Sequence, residues 1–251
     1  MRAGNARSCR AIVPLAFFPR PLSDTIPESH QPPRLVVARN QRHLRKAEAP
    51  GSPAGSRHGA SPPRIVGGTL RGRRLIADLN PDRTRPMKDR VREALFNLLA
   101  GDVPGKHAID LFAGTGALGF EALSRGAKGA TLIELHFPTA QRIRDSAVQL
   151  DVADRTEVIT ANTFSWNRPS ADDATPWLVF CSPPYAYYLE KADEMLRLIG
   201  GLMNDAPSGS VVVVECDDRF QIDRLPSFDA WQVREYPPAV LAIFRKVDSD
   251  E

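Results

Sequence analysis

The sequence predicts an α/β fold built on a seven-stranded, mostly parallel sheet with helices on both faces. Three observations lead to this prediction: from residue 108 onward short strand-like stretches alternate with amphipathic helical ones, the strand-like stretches are nearly all apolar, and the last two have no helix between them. Strands that are apolar on both sides are covered by helices on both sides, as in parallel sheets. Two strands joined only by a Pro-Pro turn form an antiparallel pair, which we expect at the end of the sheet.

The elements follow in order along the chain. We predict five parallel strands in the stretches AIDLFAG, GATLIEL, TEVITAN, WLVFCS and SVVVVEC, and a terminal antiparallel pair in WQVREY and AVLAIFRKV. Apolar residues recur at helical spacing in ALGFEALSRG, PTAQRIRDSAVQL and LEKADEMLRLIGGLM,. The strands and helices therefore alternate without an internal repeat.

Residues 1–63 differ in character from the rest of the chain. They contain ten prolines with scattered Arg, Ser and Gly and no sustained period, which predicts a disordered extension. Three explanations stay open: a flexible basic tail that tethers RNA, an Arg-rich targeting peptide, or upstream codons wrongly included in the reading frame. We prefer the last, and peptide mapping of the native N-terminus tests it, because a terminus at Met1 contradicts it.

Residues 64–100 form a second predicted unit, ahead of a larger domain at residues 101–251, whose motifs predict a cofactor-binding and catalytic role as described below. RIVGGTLRGRRLIA consists of two short apolar-edged runs around glycines, which predicts a small N-terminal β-hairpin with a basic face,. A helix follows, in which Val91, Leu95, Leu98 and Leu99 recur at near-helical spacing and Gly101 provides the stop,.

Charge is distributed unevenly along the chain. Residues 1–63 hold ten Lys and Arg against three Asp and Glu, residues 64–95 hold nine against four, and residues 96–251 hold fourteen against twenty-three. An acidic body behind a basic N-terminal third indicates a polyanion that is contacted from one side. A solvated tail and a solvated helix face explain the same numbers, so both interpretations stay open at this point.

A glycine-rich stretch predicts a nucleoside-cofactor site. DLFAGTGALGFEAL places Gly114, Gly116 and Gly119 as G-x-G-x-x-G between a strand and a helix, where small residues let the backbone approach a ligand and the helix presents free N–H groups. Glu134 ends the next strand, twenty residues after Gly114, where a carboxylate can accept both hydroxyls of a ribose. The pattern suits a nicotinamide dehydrogenase equally well.

Asp110 distinguishes between the possible cofactors. It lies four residues before Gly114, at the end of a strand. A carboxylate at that point repels a pyrophosphate, but it suits the ammonium of S-adenosylmethionine (SAM), which carries a sulfonium and no phosphate. The alternative is that Asp110 caps local backbone. We therefore expect SAM as the cofactor.

The stretch WLVFCSPPYAYYLEK predicts the second half of an active site. An apolar strand ends at Ser182 and is followed by two prolines, which stiffen the backbone and remove two N–H donors,. In a sheet of this order the strand ends beside the first one, where ligands bind. The oxygens of Ser182 and Pro183 can accept the hydrogens of an exocyclic amine and aim its lone pair at a methyl donor, while Tyr185 stacks on the flipped base. The alternative is a Pro-Pro turn with tyrosines packed on the surface.

These motifs carry a family resemblance over about residues 64–247. The glycine stretch, the basic TRPMKDRVREALFNLL and the strand-ending Pro-Pro-Tyr resemble bacterial 16S rRNA guanine-N2 methyltransferases of the RsmD type. The resemblance implies a Rossmann-like class I methyltransferase fold, SAM as methyl donor, and a guanine of small-subunit ribosomal RNA as acceptor. It also implies that RIVGGTLRGRRL and TRPMKDR face the RNA.

The chain departs from the family pattern at two positions. The family normally has Asp or Asn where this chain has Ser182, and it commonly has an acid near Asn162, where the adenine amine of the cofactor is bound. Asn162 can still accept from that amine through its amide oxygen, and Ser182 offers one neutral acceptor. Serine before Pro-Pro-Tyr resembles DNA cytosine-N4 methyltransferases, so the substrate base is less firmly indicated than the reaction.

The candidate residues fall into three groups. The expected catalytic residues are Ser182, Pro183, Pro184 and Tyr185. The expected cofactor-binding residues are Asp110, Phe112, Ala113, Gly114, Thr115, Gly116, Glu134, Leu135, Asn162 and Thr163. The expected RNA-binding residues are Arg64, Arg71, Arg73, Arg74, Arg85, Lys88 and Arg90.

Cysteine use and hydropathy argue against a disulfide-rich protein, a metal-binding protein and a membrane protein. Cys9, Cys181 and Cys216 are odd in number, unpaired by spacing and near no His cluster, which argues against a disulfide framework or a metal site and fits a cytoplasmic protein,. No apolar run approaches the roughly 18 residues of a membrane span. Because no spare apolar helix face is evident, we expect a monomer whose partner is ribosomal RNA, in the small subunit or its assembly intermediate.

Two other functions stay open beside guanine-N2 methylation. One is methylation of an amine on another nucleic acid, such as cytosine N4 in DNA. The other, motivated by Ser182 and Asn162, is a catalytically decayed protein that binds RNA or assists ribosome assembly. A nicotinamide dehydrogenase is the weakest alternative, and binding of labelled SAM but not of NAD excludes it.

Overall fold

The carboxyl ends of five parallel strands meet at one edge of the sheet that organises this protein. The computed structural model describes residues 62–77, 87–167 and 175–247, all within one compact unit, Gly55–Glu251. The sheet has seven strands in the order β3-β2-β1-β4-β5-β7-β6. In chain order they are β1 (His107–Asp110), β2 (Gly129–Glu134), β3 (Thr156–Thr160), β4 (Trp177–Cys181), β5 (Val211–Asp217), β6 (Trp231–Tyr236) and β7 (Ala239–Arg245).

The predicted fold class is confirmed. Strands β1 to β5 pair in parallel, and β7 pairs antiparallel with both β5 and β6. The chain therefore places its last strand inside the sheet, between β5 and β6. Every residue of β4 and β5 is buried, as expected of strands with helices on both faces.

Among the residues that the structure describes, five α-helices cover the two faces of the sheet. Side chains of α1, α2 and α3 pack in one core cluster together with Ala108, whereas those of α5 pack in a second cluster together with the next residue of β1, Ile109. Alternate residues of a strand point to opposite faces, so the two clusters are the two sides of the sheet. The helices are α1 (Asp89–Leu98), α2 (Ala117–Ser124), α3 (Phe137–Leu150), α4 (Tyr187–Glu190) and α5 (Ala192–Asp205).

One predicted helix is divided in the structure. LEKADEMLRLIGGLM was expected to form a single helix, but the backbone of Lys191 leaves helical geometry, with φ −132° and ψ 32°. Helix α4 starts from the Pro-Pro turn, because the N–H of Tyr187 donates to the Pro184 carbonyl at 2.9 Å. Tyr188 is buried against Phe220, with ring centroids 4.7 Å apart. The turn and this aromatic contact thus set the direction of α4 separately from that of α5.

The predicted N-terminal hairpin is present in reduced form. Its arms are joined by one antiparallel bridge between Arg64 and Arg74. Two hydrogen bonds flank it, from the N–H of Leu75 to the Pro63 carbonyl and from the N–H of Ile65 to the Arg73 carbonyl, both at 2.9 Å. No longer ladder forms, because backbone amides of this segment bond to α2 instead. The N–H of Val66 donates to Glu121 at 2.8 Å, and that of Thr69 to the Ser124 carbonyl at 2.8 Å.

Other predictions have no structural counterpart to report. The predicted disordered extension lies outside the described residues except for its last two positions, and the boundary at residues 100 and 101 stays a prediction. In the ranges that the structure describes, no helix is both long and apolar enough to cross a membrane. Within the same ranges, no group of three or more His, Cys, Asp or Glu side chains is placed to hold a metal ion.

Candidate active site

The glycine loop and the Ser-Pro-Pro-Tyr turn lie side by side at the carboxyl ends of β1 and β4. Asp110 is paired in register with Phe180, and the N–H of Leu111 donates to the Phe180 carbonyl at 3.0 Å. Ser182 follows Phe180 by two residues, as Phe112 follows Asp110. The two motifs that the sequence singled out therefore face one crevice, at the position where α/β sheets bind ligands.

The glycine loop is held open by backbone geometry that glycine tolerates. Gly114 and Gly116 have φ angles of 52° and 76°, and a Cβ on Gly116 would lie 2.7 Å from the Phe120 ring. A Cβ on Gly114 would meet only the Phe112 carbonyl, at 3.9 Å. Ala113 and Thr115 are buried beneath the loop. The exposed side of the loop at Gly114 is thus the surface that a ligand can approach closely.

Glu134 ties the glycine loop to the end of β2. One oxygen of its half-buried carboxylate accepts from the N–H of Gly114 at 2.9 Å, and the other accepts from the N–H of His136 at 2.8 Å. A carboxylate oxygen has two lone pairs, so each can accept one further hydrogen bond. This geometry is compatible with the expected binding of both ribose hydroxyls.

Asp110 is a buried carboxyl group that has no hydrogen-bond partner of normal geometry among the described residues. Burial raises the pKa of Asp110 from its ordinary value of 3.8 to about 7; the backbone amides of Gly119 and Phe112 act in the opposite direction, and the charges of Glu134 and Glu215 raise the pKa further. Such an unsatisfied buried carboxyl is costly unless a cation pairs with it. The residues therefore fit a ligand that brings an ammonium group to this point.

The remaining expected cofactor residues lie at the ends of β1, β2 and β3. Asn162 caps a short 3-10 helix, since its side-chain oxygen accepts from the N–H of Phe164 at 3.1 Å. The hydroxyl of Thr163 is buried and donates to the Leu111 carbonyl, which joins β3 to β1. Leu135 is exposed. The hydroxyl of Thr163 is thus part of the framework, and the adenine-binding role of Asn162 stays a prediction.

Aromatic side chains form one wall near the end of β1. The rings of Phe112, Phe164 and Tyr187 lie about 6 Å apart in pairs. The ammonium of Lys191 lies over two of them, 5.3 Å from the Phe164 centroid and 4.7 Å from that of Tyr187. This packing restrains Phe112, one of the expected cofactor residues, next to the glycine loop.

The Ser-Pro-Pro-Tyr turn is fastened to a residue that sequence reasoning did not single out. The hydroxyl of Ser182 donates to one carboxylate oxygen of Glu215, and that of Tyr185 donates to the other at 2.9 Å. Pro183 is buried and Pro184 is exposed. Within the described part of the chain, no hydrogen bond is made to the Pro183 carbonyl. In the sequence, the only signal for Glu215 is that it directly follows the apolar run of the neighbouring strand β5.

Cys181 directly precedes the turn but is unsuited to act as a nucleophile. Burial raises the pKa of its thiol to about 12, so the thiolate is scarce at neutral pH. Thiolate attack is the covalent route by which a cysteine activates a substrate. The turn is therefore suited to direct transfer to a lone pair and not to a covalent cysteine mechanism.

Six of the seven expected RNA-binding residues lie in the described part of the chain, and all six are exposed. Arg71, Arg74, Lys88 and Arg90 are exposed. Two other arginines are engaged with the protein: Arg64 pairs with Asp89 at 3.3 Å, and Arg73 donates to the carbonyl of Gln149 at the end of α3. Arg85 lies outside the described residues.

Buried charges attach residues 62–77, the basic segment, to α1 and α2. Arg92 is 1% exposed and donates to the carbonyl of Arg64 at 2.6 Å. It also pairs with Asp89 at 2.9 Å and lies 3.8 Å from Glu121, which pairs with Arg125 at 2.8 Å. Removing one member of such a buried network leaves another charge uncompensated. The network thus keeps the basic segment against the helix that follows the glycine loop.

Comparison with known proteins agrees with this geometry. The chain is similar over 145 residues to the protein of Escherichia coli strain K12 named Ribosomal RNA small subunit methyltransferase D, with 41% identity over 57% of this chain and 71% of that one. The solved structure of the Escherichia coli protein yhhF matches with a TM-score of 0.57 and 30% identity, over 73% of this chain and 97% of that one.

A more distant structure supports the fold alone. An RNA methyltransferase from Salinibacter ruber, solved in complex with S-adenosyl-L-homocysteine, matches with a TM-score of 0.50 and 17% identity, over 66% of this chain and 97% of that one. The family model described as Conserved hypothetical protein 95 matches residues 63–245. The matched residues contain the glycine loop, the Ser-Pro-Pro-Tyr turn and all seven strands of the sheet, and the chain belongs to this family and has the class I methyltransferase fold.

Proposed function

We propose that this protein transfers a methyl group from SAM to the exocyclic N2 amine of a guanine in small-subunit ribosomal RNA. The observation that carries the proposal is the placement of the Ser-Pro-Pro-Tyr turn beside the glycine loop, at the paired ends of β4 and β1. A relative with 41% identity is named Ribosomal RNA small subunit methyltransferase D, which supports RNA as the substrate. The choice of guanine N2 follows the family resemblance of the motifs.

The chain offers a group for each part of the cofactor. Asp110 supplies an anionic partner for the ammonium of the amino-acid moiety, and Glu134 supplies two acceptors for the ribose hydroxyls. Asn162 offers its amide oxygen to the adenine amine, and Leu135, next to Glu134 in sequence, is a further cofactor contact. When bound, SAM supplies an electrophilic methyl group on a sulfonium. The like charges of Glu134 and Glu215, which raise the pKa of Asp110, also favour binding of a cationic ligand.

The Ser-Pro-Pro-Tyr turn acts as an acceptor turn, which prepares the amine for attack. An exocyclic amine is a weak nucleophile because its lone pair is delocalised into the ring. Hydrogen bonds from its two N–H groups to the Ser182 hydroxyl oxygen and the Pro183 carbonyl favour a pyramidal nitrogen with a localised lone pair. Tyr185 supports the flipped base, a contact worth about 1–3 kcal/mol. Alignment of the reacting atoms then lowers the barrier without a strong general base.

The RNA is proposed to contact the face that carries the basic N-terminal segment. The exposed Arg71, Arg74, Lys88 and Arg90 are suited to phosphate contacts, which position an RNA without reading its sequence. We place the reaction in the cytoplasm, carried out by a monomer on the small subunit or on an assembly intermediate. The target nucleotide is then selected by the shape of the RNA around it.

Transfer of labelled methyl tests the proposal. The wild-type protein and labelled SAM are incubated with small ribosomal subunits that lack their guanine-N2 methylation, and with DNA in parallel, and the modified nucleoside is identified. N2-methylguanine in the RNA is the expected product. Label on cytosine N4 in DNA would establish the alternative amino-methyltransferase. Binding of SAM without label on either polymer would favour a decayed RNA-binding protein.

A further inference from the structure

Glu215 is a buried acid at the centre of the acceptor turn. It is 5% exposed and lies on β5, one residue beyond Val214, which is paired in register with Cys181. Both of its oxygens are used by the turn: one accepts the hydroxyl of Ser182 and the other accepts the hydroxyl of Tyr185. A carboxylate is the only side-chain group that accepts through two oxygens without donating a hydrogen bond.

The hydrogen bond to Glu215 decides what Ser182 can offer a substrate. A serine hydroxyl has one proton and two lone pairs, and it rotates to donate or to accept as its surroundings require. Since the proton of Ser182 points to the carboxylate, only lone pairs are left for the crevice. An amine can donate its N–H groups to these lone pairs. A ring carbonyl instead places its own acceptor oxygen against them, which is unfavourable. The same bond from Tyr185 restrains its ring at the other end of the turn.

We propose that Glu215 is a positioning and specificity-determining residue, which holds Ser182 as an acceptor-only group and thereby selects an exocyclic amine over a carbonyl. The inference rests on the proposed function, because it assumes that Ser182 meets the substrate amine. It also accounts for the serine in place of the Asp or Asn expected from the resemblance. Position 182 has no carboxylate of its own, but Glu215 on the neighbouring strand β5 provides one. Glu215 acts on the substrate through its hydrogen bond with Ser182.

Replacement of Glu215 by glutamine separates this role from a structural one. Glutamine keeps the size of the side chain, but it has one acceptor oxygen and an NH2 donor, so one hydroxyl must reverse its hydrogen bond. A hydrogen bond to a charged group is stronger than one between neutral groups, so its loss weakens the hold on Ser182. For Glu215→Gln we therefore expect kcat to fall by about 10- to 100-fold, with the KM for RNA unchanged within about threefold. Calorimetry should give unchanged binding of S-adenosylhomocysteine.

Two further variants serve as rescue and control. Glu215→Asp keeps two acceptor oxygens, so its kcat should be close to that of the wild type. Glu215→Gln keeps the size of the side chain but not both acceptors, so its kcat should stay low. Asp217→Asn removes another acid of the same strand, whose carboxylate pairs with Arg219 at 2.6 Å, and should leave kcat unchanged. Equal loss in Glu215→Gln and Asp217→Asn, or wild-type kcat in Glu215→Gln, would overturn the proposal.

A double-mutant cycle with Ser182→Ala tests whether Glu215 acts through the hydroxyl. If it does, Glu215→Gln should reduce kcat much less in the Ser182→Ala background than in the wild type. Full additivity of the two losses would contradict the inference, even in a methyltransferase that modifies guanine. Failure of the proposed function is distinguishable, because the wild type itself would then transfer no methyl to RNA while still binding S-adenosylhomocysteine.

Discussion

At the scale of single residues, the site keeps an acid that is unfavourable for folding. Asp110 is buried with no hydrogen-bond partner of normal geometry in the described ranges, and its pKa is raised from 3.8 to about 7, chiefly by burial. The Asp110 carboxyl therefore binds a proton more tightly in the native protein than in the unfolded chain. The contribution of Asp110 to stability is largest below about pH 4 and is lost as the pH rises through 7. Such a group is retained where function requires it.

Asp110→Asn should therefore stabilise the ligand-free protein, most strongly at alkaline pH. A tenfold change in a protonation equilibrium corresponds to about 1.4 kcal/mol, so the gain in unfolding free energy should be about 2 kcal/mol larger at pH 8 than at pH 5. Urea unfolding at both pH values measures it. Asp145→Asn, at an exposed acid, is the control and should show no such difference. A destabilised Asp110→Asn protein, or one that binds S-adenosylhomocysteine as tightly as the wild type, would contradict this role.

Tyr185 allows the stacking role and the hydrogen-bonding role to be separated. Tyr185→Ala removes both the ring and its hydrogen bond to Glu215, and it should lower turnover by at least about tenfold, since stacking on a base contributes about 1–3 kcal/mol. Tyr185→Phe keeps the ring and should lose only a few-fold. Single-turnover methyl transfer measures both. An unaffected rate in Tyr185→Ala would rule out stacking as the function of this ring.

At the scale of elements, the N-terminal segment shows what sequence reasoning found and what it missed. The glycine and arginine pattern predicted a hairpin with a basic face after residue 63, of which the structure has one bridge, between Arg64 and Arg74. It did not indicate that Ser124 holds this segment: its hydroxyl donates to the Gly67 carbonyl at 2.6 Å and accepts from the N–H of Leu70 at 2.9 Å. Hydrophobic period and turn composition report local structure, whereas a hydrogen bond across 54 residues leaves no local pattern.

Glu215 was missed for the same physical reason. The strands, the glycine loop and the Pro-Pro turn are visible because each is a local pattern of residue types. The partnership of Ser182 with Glu215 depends on which strand lies next to β4 and in which register, which is a property of the assembled sheet. Asp110 and Glu134, in contrast, could be singled out as candidates because their distances from the glycines are constrained by a single strand–loop–helix unit.

Two glycines of the N-terminal segment make its attachment testable. Gly68 and Gly72 both have positive φ, 73° and 83°, but a Cβ on Gly68 would overlap the Ser124 carbonyl oxygen, while one on Gly72 would meet nothing within 4 Å. Gly72→Ala should pay only the conformational cost of about 1–2 kcal/mol. Gly68→Ala should in addition separate the segment from α2.

Trypsin cleavage under native conditions measures this separation, because the segment carries three arginines at residues 71, 73 and 74. Cleavage there should be much faster in Gly68→Ala than in Gly72→Ala, since local opening sets the rate of proteolysis. Binding of S-adenosylhomocysteine should survive in both variants. Equal cleavage rates would contradict the assigned role of Ser124.

At the scale of the whole molecule, positive charge is concentrated in one stretch of the sequence. Residues 64–95 carry nine Lys and Arg against four Asp and Glu, and residues 96–251 carry fourteen against twenty-three. The basic segment packs with α1, α2 and α3 on one side of the sheet, while α5 packs on the other. A polyanion is attracted to the basic segment, which is the surface proposed to contact RNA.

Salt dependence tests whether the exposed arginines neutralise phosphates. Each phosphate contact releases counterions, so affinity falls as salt rises, and loss of one contact lowers the slope of log K against log salt by about 0.7 to 0.9. The double variant Arg71→Gln and Arg74→Gln should therefore bind small-subunit RNA more weakly, with a slope reduced by about 1.5. Arg73 is left intact, because its hydrogen bond to Gln149 contributes to the attachment of the segment. Arg197→Gln on α5, the opposite side of the sheet, is the control and should leave the slope unchanged. A flat salt dependence in the wild type, or equal slopes in all three proteins, would mean that this arginine-rich face is merely solvated and that the RNA is held elsewhere.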